Sequence, residues 1–456
     1  MQKIQWIKNI SRFLLVCASV LACVGSSMCA ENGTETESET ESVAKMELLG
    51  DWKVRVEYAG KTADFDISPA YLTMVTDEKL NALPIFNPNG PDWRKAMPFP
   101  GVNAQECAVR YAYLPGSASI KSAKTGEAGC IVFEEGKDYQ IYDAWGNVGR
   151  LEGGRIAENM PVFVSYQYGK MRIDAVVLTA DGTMKVVEGE SHVSTPTIPE
   201  VKSDEKLIAT VWISGRIEKL TEKNLFPLSK VRAYTPMFLA KDAVAKTYGK
   251  LVRGERVRIL AWGDSVTACG YLPDEDRWQC QFVSRLQKQF PNAEIELIHE
   301  GWGGMGSQTY WQAAVGTPKN YQEHVLGVQA DLVVLEFVND AWMNPEMVEK
   351  YYAPILKDFQ ERGIEWILCT PHYVRADWMG LESENGVDDD PRPYTLGLRE
   401  FGRKHGVAVA DAAFYYGQLY RQGIPYSTLM VNNINHPNRE GMKLFADALM
   451  KLFEEK

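Results

Sequence analysis

The stretch Arg258-Ile-Leu-Ala-Trp-Gly-Asp-Ser-Val-Thr267 decides the fold of this chain. Its apolar first half is typical of a buried strand in a parallel sheet. Gly263 permits an abrupt change of backbone direction where that strand ends. Asp264 and Ser265 would then lie at the carboxyl end of the strand, where open α/β sheets place their ligands. Ser265 is therefore a candidate nucleophile, and the alternative is that it caps the N-terminus of a helix.

Strand and helix patterns alternate over residues 236–456. Short apolar runs predict strands, and the amphipathic segments between them predict helices. The predicted strands cover residues 257–262, 295–299, 331–338, 364–369 and 407–411. Because helices separate the strands, the pattern predicts a doubly wound, five-stranded parallel sheet.

Residues 45–235 have the pattern of β structure. Several short segments alternate apolar and polar residues with a period of two and are bounded by turn residues. This pattern predicts an all-β accessory domain with a sandwich or jelly-roll-like fold. Its many aromatic residues, Trp93 and Tyr111 among them, are either strand-core residues, which we favour, or a platform on which sugars stack.

Residues suited to catalysis lie at the ends of the predicted strands. Ser265 follows the first strand, the glycine-rich segment 300–307 follows the second, and Asn339 with Asp340 follows the third. His436 comes just before the closing helix. A glycine-rich turn can aim backbone N–H groups at an anion. Each piece alone is a weak signal, but their order within one α/β domain is far more specific.

This set of residues resembles the SGNH (GDSL) hydrolase family of serine esterases over about residues 250–456. The matching segments are 263–267, 301–307, 338–340 and 433–441. Phe337, immediately before segment 338–340, stands where the family usually has a glycine. The resemblance implies an SGNH-like (flavodoxin-like) sheet and a carboxylic-ester hydrolase. The β half of the chain lies outside it.

The resemblance also implies roles for individual residues. Ser265 would be the nucleophile, and His436 would be its general base and later the general acid for the leaving group. The backbone N–H groups of Ser265 and Gly304, together with the side-chain amide of Asn339, would form the oxyanion hole. Gly301 is the second candidate for the oxyanion glycine.

Asn433 departs from the family pattern, because the family usually has an aspartate there that orients the histidine. The Asn433 carbonyl can accept the imidazole N–H, but it cannot supply the negative charge that stabilises an imidazolium. Three alternatives follow. Asn433 or a backbone carbonyl orients a working Ser–His dyad, another acid such as Glu440 substitutes, or the activity is weak. We favour the first, with Asn433 counted among the catalytic residues.

Several residues that border the predicted site are candidates for substrate binding. They are Trp302, Asp340 and His372, with Trp342 and Trp378 in neighbouring rim loops. His372 is included because it follows the fourth predicted strand. Cys269 lies close to Ser265 in the sequence, and for it we favour a packing or disulfide role over a nucleophilic one.

Residues 1–30 have the pattern of an export signal, with basic residues ahead of a short apolar core. The sequence Val20-Leu-Ala-Cys23 resembles a bacterial lipobox, which would make Cys23 the lipidated first residue of the mature chain. The alternative is simple cleavage after the small residues at 25–27. Residues 31–44 are rich in Glu, Thr and Ser and predict a disordered tether. The prediction is a bacterial surface lipoprotein whose membrane contact is the lipid anchor alone.

The net charge of -11 argues against a nucleic-acid partner. No Cys/His group has the spacing of a zinc site, so we expect no metal and no cofactor. Export permits disulfides, and Cys107–Cys130 and Cys269–Cys280 are candidate pairs. Cys369 lies in an apolar predicted strand and is expected to be a buried free thiol.

These patterns together predict an exported serine esterase. Its substrate would be a small-molecule or glycan ester, and we favour O-acetyl groups on carbohydrate. One alternative is a lipid or lysophospholipid esterase, which would need a long apolar groove for the acyl chain. Another is a surface carbohydrate-binding or adhesion protein whose hydrolase domain is degenerate.

Overall fold

The computed structural model describes residues 43–454, and the chain runs from an antiparallel β region into an α/β region. The predicted export signal at residues 1–30, the lipobox at Cys23 and all but the end of the predicted tether lie outside the described residues. The β region ends at Pro227, and the first helix begins at Ala240.

Thirteen strands make up the described part of the β region, and the pairings between them are antiparallel. They are β1 (Lys45–Gly50), β2 (Lys53–Tyr58), β3 (Lys61–Asp66), β4 (Leu72–Leu80), β5 (Met97–Pro98), β6 (Ser119–Lys121), β7 (Tyr139–Tyr142), β8 (Asn147–Arg150), β9 (Val162–Gly169), β10 (Arg172–Leu178), β11 (Met184–Val187), β12 (Lys206–Ile213) and β13 (Leu225–Pro227). Four small sheets result, with the orders β1-β2-β3, β4-β9-β6, β5-β8-β7 and β11-β10-β12-β13. An antiparallel all-β region therefore precedes the α/β region, as predicted.

The β region has two hydrophobic cores. In the first, Val54 and Val56 of β2 pack with Val176 of β10 and Val211 of β12. In the second, side chains from the β4-β9-β6 and β5-β8-β7 sheets share one cluster. Strand β9 shows why such strands form, because its residues alternate between buried and half-buried positions. Alternate side chains thus enter the core, while the others face outward.

Five parallel strands form the sheet of the α/β region. They are β14 (Arg256–Gly263), β15 (Glu294–Gly301), β16 (Leu332–Glu336), β17 (Glu365–Cys369) and β18 (Ala408–Ala410). Their order is β15-β14-β16-β17-β18, with parallel pairing throughout. This is the flavodoxin-like order, which confirms the predicted doubly wound sheet. The order reverses between β14 and β16, where such sheets form a crevice for ligands.

Helices cover both faces of this sheet. The α-helices of the described residues are α1 (Ala240–Ala243), α2 (Ala245–Arg253), α3 (Ser265–Ala268), α4 (Trp278–Gln289), α5 (Ser307–Gln312), α6 (Pro345–Arg362), α7 (Pro393–His405), α8 (Ala412–Tyr416) and α9 (Arg439–Leu452). Ile259 of β14 enters the core that α4 and α9 cover, and Leu260 enters the core beneath α6 and α7. Among the helices between residues 43 and 454, none is both long and apolar enough to cross a membrane.

Helix α6 shows how local sequence sets an element's ends. The Asn344 side chain accepts a hydrogen bond from the backbone N–H of Met347, and Pro345 occupies the first helical position. The helix stops at Gly363, which has a φ of 70°. A left-handed residue at this position is a common helix terminator, and glycine adopts that conformation without strain.

The cysteines do not pair as expected. All five cysteines among the described residues are free: Cys107, Cys130, Cys269, Cys280 and Cys369. The two candidate disulfides are therefore wrong, because proximity in the sequence does not by itself bring two thiols into bonding geometry. Cys369 is a buried free thiol, as expected.

Candidate active site

Ser265 lies immediately after β14, at the first position of the short helix α3. Asp264 is the N-cap of that helix, and its side chain accepts a hydrogen bond from the backbone N–H of Val266 at 3.0 Å. The expected alternative, in which Ser265 is the cap, is therefore wrong. At Gly263, an added Cβ atom would collide with the Thr267 side chain and the Glu336 carbonyl oxygen. The sharp turn that exposes the Ser265 hydroxyl thus requires glycine there.

The loop that carries His436 is organised by one amide side chain. Oδ1 of Asn432 accepts hydrogen bonds from the backbone N–H groups of Ile434, Asn435 and His436, each at 3.0 Å. The Val431 N–H also donates to the His436 carbonyl oxygen at 2.8 Å. These bonds satisfy the backbone of a sharply turned segment and fix the position from which the imidazole projects.

The imidazole of His436 reaches Ser265 with one nitrogen and an acid with the other. Nε2 lies 3.0 Å from Oγ of Ser265, which is hydrogen-bonding distance. Nδ1 lies 2.5 Å from Oε2 of Glu106 in the β region. Nδ1 has no aligned hydrogen-bond partner among the described residues, so this is a close contact, by distance, between an imidazole nitrogen and a carboxylate.

Asn433 does not contact the imidazole. Its side-chain amide points to the sulfur of Met171 at 3.9 Å, and only 8% of the residue is exposed. Glu440, the other residue considered, is exposed in the first turn of α9. The expectation that Asn433 orients His436 is therefore wrong. The backbone turns at Asn433, which has a φ of 54°, and this turn directs the side chain into the β region.

The glycine-rich loop and the loop after β16 approach Ser265 from the neighbouring strands. A Cβ atom at Gly303 would lie 3.9 Å from the Ser265 Cβ atom, and the next residue, Gly304, has a φ of 73°. The Asn339 side-chain amide donates to the Met305 carbonyl oxygen at 3.3 Å. Since an amide carries two N–H groups, one remains for a ligand.

Asp264 ties two of these turns together. Its Oδ2 accepts the backbone N–H of Asn339 at 2.9 Å, while its Oδ1 serves as the helix cap. The carboxyl is fully buried, and burial raises its pKa to about 7. One buried side chain thus sets the distance between the Ser265 turn and the Asn339 turn.

The family model of the GDSL-like Lipase/Acylhydrolase family matches residues 261–444, from the nucleophile turn to helix α9. Residues 261–444 are a GDSL-like (SGNH) domain. The match confirms the resemblance on which Ser265, Gly304, Asn339 and His436 were singled out. Lipases and acylhydrolases are enzymes that hydrolyse carboxylic esters.

Several esterases of known structure are similar to part of this chain. A two-domain esterase (CEX) active on acetylated mannans is 20% identical with a TM-score of 0.38, over 48% of this chain and 55% of that one. The acetyl xylan esterase AlAXEase is 22% identical with a TM-score of 0.35, over 42% and 98%. Axe2, an acetylxylan esterase from Geobacillus stearothermophilus, is 18% identical with a TM-score of 0.34, over 44% and 95%. No curated protein sequence matches the chain.

Asp340 lies beneath the site of the GDSL-like domain and does not face a substrate. It is fully buried, and its carboxylate accepts the backbone N–H of Ser307 at 3.1 Å and the hydroxyl of Tyr352 at 2.9 Å. Burial raises its pKa to about 6. The expected substrate contact is wrong, because residue type after a strand does not reveal burial. Asp340 instead holds the end of the glycine-rich loop.

His372 is likewise corrected from a substrate contact to a buried support. It is fully buried, and its Nε2 donates to the Asn435 carbonyl oxygen at 2.8 Å. Burial lowers its pKa to about 3, with a contribution from the positive charge of Arg392. A neutral imidazole therefore lies under the loop that carries His436 and braces it from below.

Exposed tryptophans remain candidates for substrate contact. Trp302, in the glycine-rich loop, is 38% exposed and donates through Nε1 to Glu300 at 2.8 Å. Trp342 and Trp378 are also exposed. Trp378 packs edge-to-face on Trp93 of the β region, with ring centroids 5.9 Å apart. The rim therefore includes aromatic residues from both regions of the chain.

A groove of about 490 Å³ opens beside Glu106. Its lining includes Ile85, Asn87, Trp93, Arg94, Asn103 and Glu106, all from the β region. Apolar, amide and cationic side chains thus line a surface that ends at the residue in contact with His436. The aromatic residues of the β region were expected to be either core residues or a platform for sugars. Trp145, Tyr113 and Tyr166 are core residues, whereas Trp93 is 39% exposed in this groove.

Cys269 is excluded as a competing nucleophile. It is fully buried, and burial raises the pKa of its thiol to about 12. The reactive form of cysteine is the thiolate, which this environment disfavours. Cys269 is therefore a packing residue, which is one of the two roles that we favoured for it.

Sequence reasoning missed three residues of the site: Glu106, Asn432 and Tyr271. Glu106 and Tyr271 belong to no periodic pattern and reach His436 only through tertiary packing. Asn432 lies beside the recognised segment and could have been suspected, since asparagine side chains commonly organise tight turns.

Proposed function

We propose that this protein is a serine esterase that removes O-acyl groups, acetyl groups in particular, from carbohydrate at the bacterial cell surface. The observation that carries the proposal is the distance of 3.0 Å between Ser265 Oγ and His436 Nε2 within a GDSL-like domain. A nucleophile within hydrogen-bonding distance of its base is the minimal requirement for this chemistry.

The reaction follows from the placement of these groups. His436 Nε2 takes the hydroxyl proton as Ser265 Oγ bonds to the ester carbonyl carbon. The backbone N–H groups of Ser265 and Gly304 and the Asn339 amide bind the oxyanion that forms. When the carbon–oxygen bond to the sugar breaks, His436 returns its proton to the departing sugar oxygen. Water, deprotonated by His436, then attacks the acyl-enzyme, which releases the acid and the Ser265 hydroxyl.

Support for a carbohydrate substrate comes from the rim. Trp302, Trp342 and Trp378 expose large aromatic surfaces. Exposed aromatic groups of this kind mark ligand sites, and flat rings suit the faces of sugars. The groove beside Glu106 adds amide and guanidinium donors, which suit hydroxyl groups.

The alternative of a degenerate hydrolase domain in a surface-binding protein rested on Asn433. The carboxylate of Glu106 beside Nδ1 of His436 removes that reason, because a charge is available from elsewhere in the chain. A lipid esterase would require a long apolar acyl groove, whereas the groove beside Glu106 has polar and charged residues in its lining.

Attachment to the cell surface through Cys23 is part of the proposal. Its support is the pattern of the first 44 residues, in which a basic start, an apolar core and a lipobox precede a polar tether. Globomycin, which blocks lipoprotein signal cleavage, should leave the precursor unprocessed. A Cys23→Ser chain recovered in the soluble fraction supports the anchor, and unchanged fractionation contradicts it.

The test of the activity is hydrolysis of p-nitrophenyl acetate, butyrate and octanoate, and acetate release from acetylated xylan and mannan, by wild type and Ser265→Ala. The matched control is Ser284→Ala, an exposed serine on helix α4. We expect turnover that favours acetyl esters, is lost in Ser265→Ala and is kept in Ser284→Ala. Equal background for wild type and Ser265→Ala on every ester would refute the esterase, and a preference for octanoate would favour a lipid substrate.

A further inference from the structure

The His436 imidazole is contacted at both of its nitrogen atoms by residues from different regions of the chain. Nε2 faces Ser265 of the GDSL-like domain, and Nδ1 faces Glu106 of the β region. We propose that Glu106 is the positioning acid of this site, so that the β region completes the catalytic machinery of the GDSL-like domain. This inference rests on the ester hydrolysis proposed above.

The segment around Glu106 is docked against the site by three consecutive residues. The backbone N–H of Gln105 donates to the Val431 carbonyl oxygen at 3.3 Å, and its side chain donates to the Tyr271 carbonyl oxygen at 2.9 Å. The Cys107 thiol lies 3.4 Å from the Asn432 carbonyl oxygen. Since both neighbours of Glu106 bond to the site, its carboxylate is held beside His436 rather than free to leave it.

The backbone at Glu106 adopts a conformation that is uncommon for a residue with a side chain. Its φ is 73°, in the left-handed region. A tight turn imposes this conformation, with Ala104 N–H bonded to the Cys107 carbonyl oxygen at 2.8 Å and a bridge between Asn103 and Ala108. The left-handed conformation is unfavourable for a residue that carries a Cβ atom. Such strain clusters at functional sites, and here it directs the carboxylate toward His436.

The loop that carries His436 is embedded in the β region in return. Ile434 is 4% exposed and belongs to the hydrophobic core formed by β4, β6, β8 and β9. The neighbouring Asn433 amide contacts Met171 of the same core. The loop is thus packed from one side by the β region and braced from the other by His372. Separation of the two regions would remove both its packing and its acid.

A carboxylate at Nδ1 has a defined effect on the chemistry. It favours the tautomer with hydrogen on Nδ1, which leaves the Nε2 lone pair free to accept the Ser265 proton. It also stabilises the imidazolium that exists while the tetrahedral intermediate is present. Catalytic hydrogen bonds are often poorly aligned before substrate binds, which fits the orientation of this contact.

Ionisable groups from both regions of the chain lie around His436. Glu106 lies at Nδ1, Tyr271 lies against the ring face, Asp264 lies below the nucleophile turn and His372 lies below the loop. Burial raises the pKa of Asp264 to about 7 and lowers that of His372 to about 3. The Glu106 side chain is 43% exposed and is the one placed directly at an imidazole nitrogen.

The competing explanation is that Glu106 only fastens the β region to the loop. A fastening role predicts that loss of the carboxylate lowers stability, with activity falling in proportion to the folded fraction. A positioning role predicts a lower kcat in fully folded protein, a small change in KM and a displaced pH profile. The two explanations therefore differ in measurable ways.

The test uses the full chain with Glu106→Gln, Glu106→Asp and, as matched control, Glu152→Gln, which alters an exposed glutamate of the β region. On p-nitrophenyl acetate we expect kcat of Glu106→Gln to fall by about 100-fold or more, since loss of the corresponding acid elsewhere costs about 10⁴-fold. KM should change by less than about twofold, as expected for an interaction made in the transition state. Glu106→Asp should recover part of kcat, and Glu152→Gln should match wild type.

The pH profile gives an independent readout. Without the negative charge, the protonated imidazole is less stable, so the acid limb of kcat/KM should move down by about one pH unit in Glu106→Gln. The NMR titration midpoint of the His436 ring, assigned with a His436→Gln variant, should move in the same direction. That measurement needs no turnover, so it tests the contact even where hydrolysis is slow.

The outcomes separate this inference from the proposed function. If wild type is active, Ser265→Ala is inactive and Glu106→Gln equals wild type in kcat and pH profile, Glu106 is not a positioning acid and the esterase stands. If wild type and Ser265→Ala are equally inactive, the esterase falls. In that case an unchanged His436 titration in Glu106→Gln overturns the positioning contact as well.

Discussion

The imidazole of His436 lies flat against the ring of Tyr271, with ring centroids 4.6 Å apart and planes inclined by 6°. Tyr271 follows helix α3, which begins at Ser265. The segment that carries the nucleophile therefore also supplies the aromatic surface against which the His436 ring packs. With Ser265 at one edge and Glu106 at the other, the ring is held on its face and at both nitrogens. These contacts restrict rotation of the imidazole before any substrate binds.

The stacked ring predicts a difference between two substitutions of Tyr271. Tyr271→Phe keeps the aromatic face and should keep kcat within about twofold of wild type. Tyr271→Ala frees the imidazole and should lower kcat by about 10-fold to 100-fold, since small misplacements of catalytic groups have effects of this size. Steady-state kinetics on p-nitrophenyl acetate decides between them. Equal kcat for both variants would show that the stack does not position His436.

Asn339→Ala removes the side-chain amide that, in the proposed mechanism, donates to the developing oxyanion. We expect kcat to fall by about 10²–10³-fold with little change in KM, as for loss of one oxyanion-hole donor. Asn292→Ala, at an exposed position before β15, is the matched control and should behave as wild type. A rise in KM at constant kcat would instead assign Asn339 to ground-state binding.

Asn433→Asp restores the usual family residue but should not increase activity. The side chain is buried beside the Met171 sulfur, so a carboxylate there would lose hydration without gaining a donor. We expect a loss of about 1–3 kcal/mol in the free energy of unfolding, measured by urea denaturation, and no gain in kcat. A faster enzyme of unchanged stability would mean that residue 433, and not Glu106, faces the imidazole.

Sequence patterns predicted the sheet and the nucleophile turn because both depend on local features. The apolar residues of β14 enter the cores on both faces of the sheet, and Gly263 is required by close contacts at the turn. Ser265 and His436 were identified because their segments resemble a family whose strand ends meet at one edge of the sheet. The SGNH-like architecture of residues 261–444 is confirmed by the family match.

The partner of the histidine could not be predicted in the same way. Glu106 lies in an irregular turn far from His436 in sequence, and no periodic pattern points to it. His372 and Asp340 were assigned to substrate because they follow strands, yet both are fully buried. Burial depends on how the β region and the helices pack, which is a property of the whole fold.

Glu384 should make stability depend on pH. It is buried, accepts the Ser427 N–H at 2.9 Å, and has its pKa raised by burial to about 7. A carboxyl with a raised pKa stabilises the fold at low pH, and this contribution is lost as the pH rises from about 4.5 through 7. The Glu384→Gln variant has no carboxyl group to ionise at this position. Its free energy of unfolding relative to wild type should therefore rise by up to about 3 kcal/mol between pH 5 and pH 8.5. The same difference from wild type at both pH values, measured by urea denaturation, would contradict the prediction.

The central claim is that Ser265 is a nucleophile activated by His436, and covalent labelling tests it most directly. Wild type, Ser265→Ala and His436→Gln would be treated with diisopropyl fluorophosphate, and the modified peptide would be located by mass spectrometry. The account predicts one phosphoryl group on Ser265 of wild type and a loss of ester turnover in proportion to the labelling. The His436→Gln variant should be labelled much more slowly. The Ser265→Ala variant should carry no label on this peptide. Full turnover in protein whose Ser265 is stoichiometrically labelled, or turnover lost through a label at another residue, would contradict it.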